Sequence, residues 1–301
     1  FGNTELTGIW VAKFEPTAAE GIANGYTDDW SCPVVGDDVT TKTIKVLPNA
    51  VSWRCITIGN SFTVTRDMET KNIYGWDIAE TLKEDGTYTT DTNNVDTHLM
   101  KNVEWGATVY LSKSSYGKNT TEVWVNNSKN YTTGCTGTSV SAGSYDGCQN
   151  TYESENRVQA STTGTIYGIY DMSGGAWERV SAYIDNQNTI LNTYGASVIN
   201  SNLKYKELYQ KSIIDDNTNN YLLTVNKKGD AIYETSSNSI ATGLGWFNDY
   251  TNTPTTNNPW YVRGGGYRNS SLAGLFSSGT PNGSPISEYS FRPVLLVSQG
   301  L

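Results

Sequence analysis

The chain has 301 residues, enough for one large domain or two, and a formal charge of −9 that makes duplex nucleic acid and anionic membrane poor partners. Only 17% of residues are charged, yet 9 Trp and 20 Tyr supply ample core material, which excludes a disordered chain. No run of 18 apolar residues occurs, so no direct membrane insertion is expected.

Solubility rests on Asn, Ser, Thr, Gly and Tyr, as in many surface proteins. Phe1 is not an initiator methionine, so the start is expected to be a processed or cut one, with room for a signal or anchor already removed. The cysteines Cys32, Cys55, Cys135 and Cys148 lack the C-x-x-C spacing of a metal site. They fall into two sequence-local pairs, so Cys32–Cys55 with Cys135–Cys148 is the natural choice among three connectivities. Two disulfides imply an oxidising compartment: extracellular, or a cell or virion surface. The alternative is four reduced, buried thiols.

In chain order, residues 5–15 (ELTGIWVAKFE) alternate at Ile9 and Val11 and at Trp10, Ala12 and Phe14, which predicts a strand. Residues 17–47 are rich in turn formers, and a new element begins at 48–53. SFTVTRDM (61–68) fits a short helix or a strand equally. Met100, Val103, Ala107, Tyr110 and Leu111 recur at spacings of three and four, predicting a helix over 100–113. Asp96 or Thr97 is the expected cap, and Gly117 follows the helix end. His98, the one histidine, sits at that start with no second His and no nearby nucleophile, so a structural role is expected.

Residues 118–165 are polar with one short expected strand, EVWVN (122–126), and the Cys135–Cys148 pair staples what a core cannot hold. GTIYGIYDMSGGAWERVSAY (164–183) reads as strand, Gly-Gly turn, strand, with Ile166, Ile169, Met172, Ala176, Trp177 and Val180 as core. Residues 203–214 read as an amphipathic helix, and 221–234 as a strand pair across Lys227, Lys228 and Gly229. No repeat and no clean linker appears, so a single domain over 1–301 is expected, with insertions near 118–165 and 185–240.

The segment 261–297 is the one the rest is expected to serve. Its ends are apolar and strand-like, with Pro293 interrupting the second. Between them lie about 25 residues of Gly, Ser, Asn, Pro and Tyr with no period. Structureless stretches of that length are usually functional or disordered, and two strands holding the ends favour function. Tyr supplies rigid contact area and Ser and Asn adaptable hydrogen bonds, as recognition surfaces require.

Five blocks in order resemble the formylglycine-generating-enzyme (sulfatase-modifying factor) family: IWVAKFEPT (9–17), HLMKNVEWGA (98–107), GIYDMSGGAWERV (168–180), VRGGGY (262–267) and FRPVL (291–295). The resemblance implies an α+β, C-type-lectin-like fold of that type: two helices around a small twisted antiparallel sheet, rich in loops. The oxidising members carry reactive cysteines just after Arg-Gly-Gly, where a thiolate meets copper and the substrate. Residues 266–290 here contain neither Cys nor His, so no nucleophile–base pair or metal set can form there. The family's Gly-Asn is Gly174-Gly175 here, which loses an oxygen often used for calcium. Asp171 and Glu178 remain, a pair more often structural.

A non-catalytic branch of this fold comprises the variable proteins of diversity-generating retroelements, whose terminal coding segment is rewritten at adenines by a reverse transcriptase. Arg263-Gly264-Gly265, Ala273-Gly274-Leu275-Phe276 and Phe291-Arg292-Pro293 resemble its landmarks. Randomised AAC or AAT codons never yield Lys, Glu, Gln, Met or Trp. These five types make up 45 of the 301 residues, so about three or four are expected in 24, and 264–287 contain none. Glu288 does not fit the pattern and would be fixed. The middle of the chain is also similar to bacterial surface proteins with prepilin-type N-termini.

The resemblance therefore implies a surface-displayed ligand-binding protein, receptor or adhesin in type, with no enzymatic activity, no cofactor and no metal. Arg263, Gly264, Gly265, Phe291 and Arg292, with Trp105 and Trp177, would form the fixed frame. Tyr267, Arg268, Asn269, Ser270, Leu272, Ser278, Thr280, Asn282, Ser284 and Tyr289 would contact a protein or cell-surface ligand. A lectin-type fold does not by itself imply sugar. The alternatives are a structural pilus-tip or phage-tail subunit without diversification and, third, an oxidase of the formylglycine type.

Overall fold

Strand and helix alternate irregularly along the chain, which a computed structural model describes over residues 8–22, 31–32, 36–74, 80–82, 88–90, 95–236 and 243–297. The order is β1 (Trp10–Val11), β2 (Thr17–Ala18), β3 (Ile44–Lys45), α1 (Ile58–Asp67), β4 (Glu80–Leu82), β5 (Tyr88–Thr90), β6 (Val95–Leu99) and α2 (Asn102–Ser112). Then come β7 (Trp177–Ile184), α3 (Thr189–Ile199), β8 (Glu207–Tyr209), α4 (Asn217–Leu223), β9 (Gly243–Leu244) and β10 (Tyr250–Thr251). The last are β11 (Trp260–Arg263), β12 (Ser278–Gly279), β13 (Tyr289–Phe291) and β14 (Pro293–Val297). The class is α+β.

β7 is the hub, and every one of its residues is buried. One edge carries β11, antiparallel, with β12 beyond it. The other edge is long enough to seat two parallel partners in line, β13 against Trp177–Arg179 and β8 against Ala182–Ile184. The sheet is therefore mixed, not antiparallel as the resemblance implied. Side chains alternate across it. Val180, Ala182 and Ile184 face a core with Trp105 and Val109 of α2, while Tyr183 faces a second core with Phe62 of α1 and Leu191 and Val198 of α3. A second sheet, in order β1-β14-β6, is antiparallel throughout.

The ambiguous stretch 61–68 belongs to a helix because Thr57 caps it, its Oγ1 accepting from Asn60 N at 3.1 Å, and because Ile58, Phe62 and Thr65 then share a buried face. α1 crosses α3 closely: a Cβ on Gly59 would lie 2.8 Å from the Tyr194 carbonyl. α3 itself was not anticipated. Its Asn188 cap is a recognisable start, with Oδ1 accepting from Ile190 N at 3.0 Å, but Gly195 and its β-branched residues hide the period.

α2 forms within the expected bounds, but Asp96 and Thr97 do not cap it. Both lie in β6, Lys101 is the cap residue, and the Glu104 carboxylate closes the start by accepting from Lys101 N at 2.8 Å. His98 is fully buried in β6 between Asp96 (3.1 Å) and Glu104 (2.9 Å). Burial opposes its charge, but the two carboxylates outweigh that and raise its pKa.

Four other expectations fail and a fifth is met only in part. Residues 122–126 form a single bridge, Asn126 to Gly174, and no strand precedes the Gly174-Gly175 turn. Residues 203–214 form a 3-10 turn (Leu203–Tyr205) and β8, because the apolar face of the supposed helix is spent on pairing with β7. Residues 221–234 continue α4 into 3-10 turns rather than a strand pair. The strand expected over 5–15 is shortened to β1, residues 1–7 lying outside the described ones. Among the described residues no helix is long and apolar enough to cross a membrane.

Cys32–Cys55 and Cys135–Cys148 are both bridged, and no free cysteine remains. The second bridge closes a polar loop, its ends 13 positions apart in sequence. Replacing Cys135 and Cys148 together by Ser should lower stability by about 2–4 kcal/mol through the entropy of the opened loop. Urea unfolding of the oxidised protein and the double variant measures it, and an unchanged midpoint would mean that the loop is held by other contacts.

Candidate ligand-contact face

The terminal segment leaves β11 through Arg263 and doubles back on itself. Arg263 is fully buried and saturated: Nε donates to Ser277 O (2.9 Å), Nη1 to Asp230 O (2.8 Å) and Asn102 Oδ1 (3.3 Å), and Nη2 to Ala231 O (2.9 Å). Gly264 and Gly265 follow with φ of 88° and 74°, a region that disfavours side chains, and a Cβ on Gly265 would meet Ala273 Cα at 2.6 Å. That fold-back brings Ala273-Gly274-Leu275-Phe276 under the sheet. There the Trp105 indole donates to Leu275 O at 2.7 Å, and Phe276 N donates to the Asp249 carboxylate at 2.8 Å.

The segment returns to the frame at Arg292. Its guanidinium engages Glu178 through two nitrogens, Nε at 2.8 Å and Nη2, and also donates to Ala12 O (2.6 Å) and Tyr170 O (2.9 Å). Burial raises the Glu178 carboxyl to about 7 even against the lowering pull of Arg292, while the two-point contact favours the ion pair. Asp171 is used structurally too, accepting from Gly134 N (2.8 Å) and Asn126 Nδ2 (2.9 Å). All seven frame residues, Arg263, Gly264, Gly265, Phe291, Arg292, Trp105 and Trp177, are buried.

Between these anchors the ten expected contact residues divide. Arg268, Asn269, Ser270, Leu272, Thr280, Asn282 and Ser284 reach the surface wholly or in part. Tyr267, Ser278 and Tyr289 do not, being 2%, 0% and 9% exposed. The Tyr267 ring stands edge-on to Tyr131, centroids 4.9 Å apart, and its N–H bonds Gly175 O at 2.8 Å. Ser278 pairs in β12 and donates its hydroxyl to Asn252 O at 3.1 Å. Tyr289 pairs with Trp177 in β13. An exposed middle that owes nothing to the core is thus the wrong picture of this segment.

The surface residues form two stretches, 268–272 and 280–286, held by bonds of both short and long range. Asn269 Oδ1 accepts from Gly266 N (2.7 Å), Asn282 Oδ1 from Ser284 N (2.9 Å), and Arg268 pairs with Glu288 at 3.2 Å. Others reach further: Ser270 Oγ donates to Ser141 O at 2.7 Å, so the stapled 135–148 loop borders the face, and Gly283 O and Ile286 O accept from Ile58 N and Cys55 N, both at 3.2 Å. Beneath lies a buried apolar floor of Trp177, Val262 and Tyr289, flanked by Tyr250 and Ile286. Gly266 and Gly279 let the chain lie against the indole, since a Cβ on either would approach it to 3.3 or 3.2 Å. Ser141, Tyr250 and Ile286 were not foreseen, and no local pattern announces them. Such a face can hydrogen-bond. Among the described residues no group of three or more His, Cys, Asp or Glu could hold a metal ion. No protein-family model and no curated protein sequence matches this chain.

Tyr267→Ala should now behave as a core truncation, costing about 3–5 kcal/mol like Trp177→Ala, whereas Thr280→Ala should stay within about 0.5 kcal/mol. Thermal and urea melts of the three variants check the ranking, and a near-neutral Tyr267→Ala would return the ring to the contact surface.

Asp249 gives a pH signature. Burial raises its carboxyl from 3.8 to about 7. The fold therefore favours the protonated form, and stability from this group is complete below the ordinary value and lost as pH rises through about 7. Asp249→Asn keeps the acceptor for Phe276 N and should flatten that part of the stability–pH curve. An unaltered slope would assign it to another group.

Proposed function

We propose that this chain is a ligand-binding surface protein, receptor- or adhesin-like, built on a C-type-lectin-like frame and without chemistry of its own. Its terminal segment is of the kind diversified by a retroelement. The observation that carries the reading is the alternation along that segment. Residues at 263–265, 273–279 and 287–292 are locked to the core, while those at 268–272 and 280–286 are mostly surface positions whose side chains bond mainly to near neighbours. Positions of the second kind can change identity without unfolding the first kind. A polar surface of Ser, Asn and Thr held over a rigid, buried Trp177–Tyr289 floor suits a protein or cell-surface partner met through adaptable hydrogen bonds. The two disulfides agree with an oxidising, extracellular setting. An oxidase of the formylglycine type is disfavoured because all four cysteines are consumed in bridges.

The structural-subunit reading has one observation in its favour. A cavity of about 420 Å³ opens between Ile9, Val11, Ala107, Leu111 and Ile169, and Trp10 and Tyr167 stand 70% and 86% exposed near it. The genomic locus separates the two. The proposal expects a reverse-transcriptase gene and a near-copy of the 3′ coding end, differing at adenines in codons of 268–272 and 280–286 but not of Gly264, Gly265 or Arg292. A locus without either, together with self-association abolished by Trp10→Ser, would favour the structural subunit.

A further inference from the structure

Beneath residues 281–287 lies a guanidinium with donors to spare. Arg179 rises from β7 on the face that alternation gives to Trp177 and Tyr183, and it is fully buried. Nη2 donates to Ser284 O, and the guanidinium sits 5.0 Å from the Tyr289 ring centroid. Its Nε and Nη1 have no acceptor. The contrast is with Arg263 and Arg292, equally buried, whose Nε, Nη1 and Nη2 all donate. Among the described residues no carboxylate pairs with Arg179. The nearest whose field reaches it, Asp38, is engaged by Thr57 N and Asn60 Nδ2 at 3.0 and 2.6 Å.

Two further groups under the same stretch have no partner. The Trp260 indole N–H is buried, lying 2.8 Å from where a Cβ on Gly283 would sit, and the Ser287 hydroxyl is buried as well. The register puts Trp260 opposite Tyr183 and Val262 opposite Arg179, so indole and guanidinium share one face of the sheet. Arg and Trp nitrogens are donors only. Donors without acceptors call for an electron-rich guest, and a buried cation without a counter-charge calls for a negative one. The roof limits its size. Ile58 N bonds Gly283 O and Cys55 N bonds Ile286 O, both at 3.2 Å, which ties 283–286 to the start of α1. That helix also directs its positive end to this side.

We propose that Arg179 binds a small monovalent anion of halide size between β7 and residues 281–287. The ion would hold down the stretch that presents Asn282 and Ser284, and so would set the height of one half of the contact face.

Bromide is the probe. Crystals of the unaltered chain grown with sodium bromide in place of chloride should show an anomalous peak within hydrogen-bonding distance of Arg179 Nε or Nη1. A water at that position, or no peak there, overturns the proposal. In solution, the exhaustively dialysed protein should melt higher in sodium chloride than in sodium gluconate of equal ionic strength, and Arg179→Met should lose that difference. Equal melting of the unaltered chain in the two salts, or a difference that survives in Arg179→Met, counts against the site. If Arg179→Met does not fold, the crystal and the two-salt comparison still decide.

Discussion

The ion pair between Arg292 and Glu178 is the joint on which the two sheets depend. Arg292 is the single residue between β13, which pairs with the hub strand, and β14, which pairs with β1 and β6. At that crossing its guanidinium holds Glu178 of the hub, the carbonyl beyond β1 and the carbonyl of Tyr170 at once. Such a pair is weak support for net stability, since desolvating both ions offsets their attraction. Breaking it is another matter: one buried charge left alone costs about 3–5 kcal/mol. Its value is positional, because no apolar residue could bind a carboxylate and two carbonyls in fixed directions.

The same economy recurs at Arg263, where one side chain satisfies three carbonyls on two separate stretches of irregular backbone, together with the Asn102 side-chain oxygen of α2. A chain with so little regular structure leaves many carbonyls without strand or helix partners, and buried ones must be paired. A planar cation with five donors meets several such carbonyls from one position. Buried arginine does here what longer strands do elsewhere. Against that background the unsatisfied edge of Arg179 needs a chemical reason.

Legibility followed the range of the forces involved. α2 could be read as a helix from its spacing, but not its inward face: Ala107 and Leu111 are exposed and Val103 and Tyr110 half-buried, while Trp105, Thr108, Val109 and Ser112 are buried. The disulfides could be read because both close short polar stretches. The helix expected over 203–214 failed because Leu208 and Tyr209 are claimed by β7, a partner more than 20 residues away in sequence. Pairing overrode local period there, as it does when a short segment is needed to complete a sheet edge. The surface side of the terminal segment was half legible. Its glycines and its Arg-Gly-Gly start marked the turns, but the burial of Tyr267 rests on Tyr131, which lies in a loop with no periodic signal. Composition identifies a recognition-type segment and cannot say which of its aromatics face inward.

That last point bears on how such a face could vary at all. A natural domain stands only about 5–15 kcal/mol above unfolding, so a segment rewritten at many codons must keep its variable positions out of the core. Here the burden falls on residues that cannot change: Gly265 against Ala273, Gly274 against Asp249, Gly279 against the Trp177 ring. Each leaves no room for a Cβ without something shifting, so each fixes where the neighbouring surface stretch begins. The two stretches are anchored independently, 268–272 by Gly266 and the stapled loop, 280–286 by α1 and the roof over Arg179. Substitution in one therefore leaves the backbone of the other in place. Distant, separately supported sites add their effects with little coupling, and two such stretches around one apolar floor allow identity to vary while geometry stays constant.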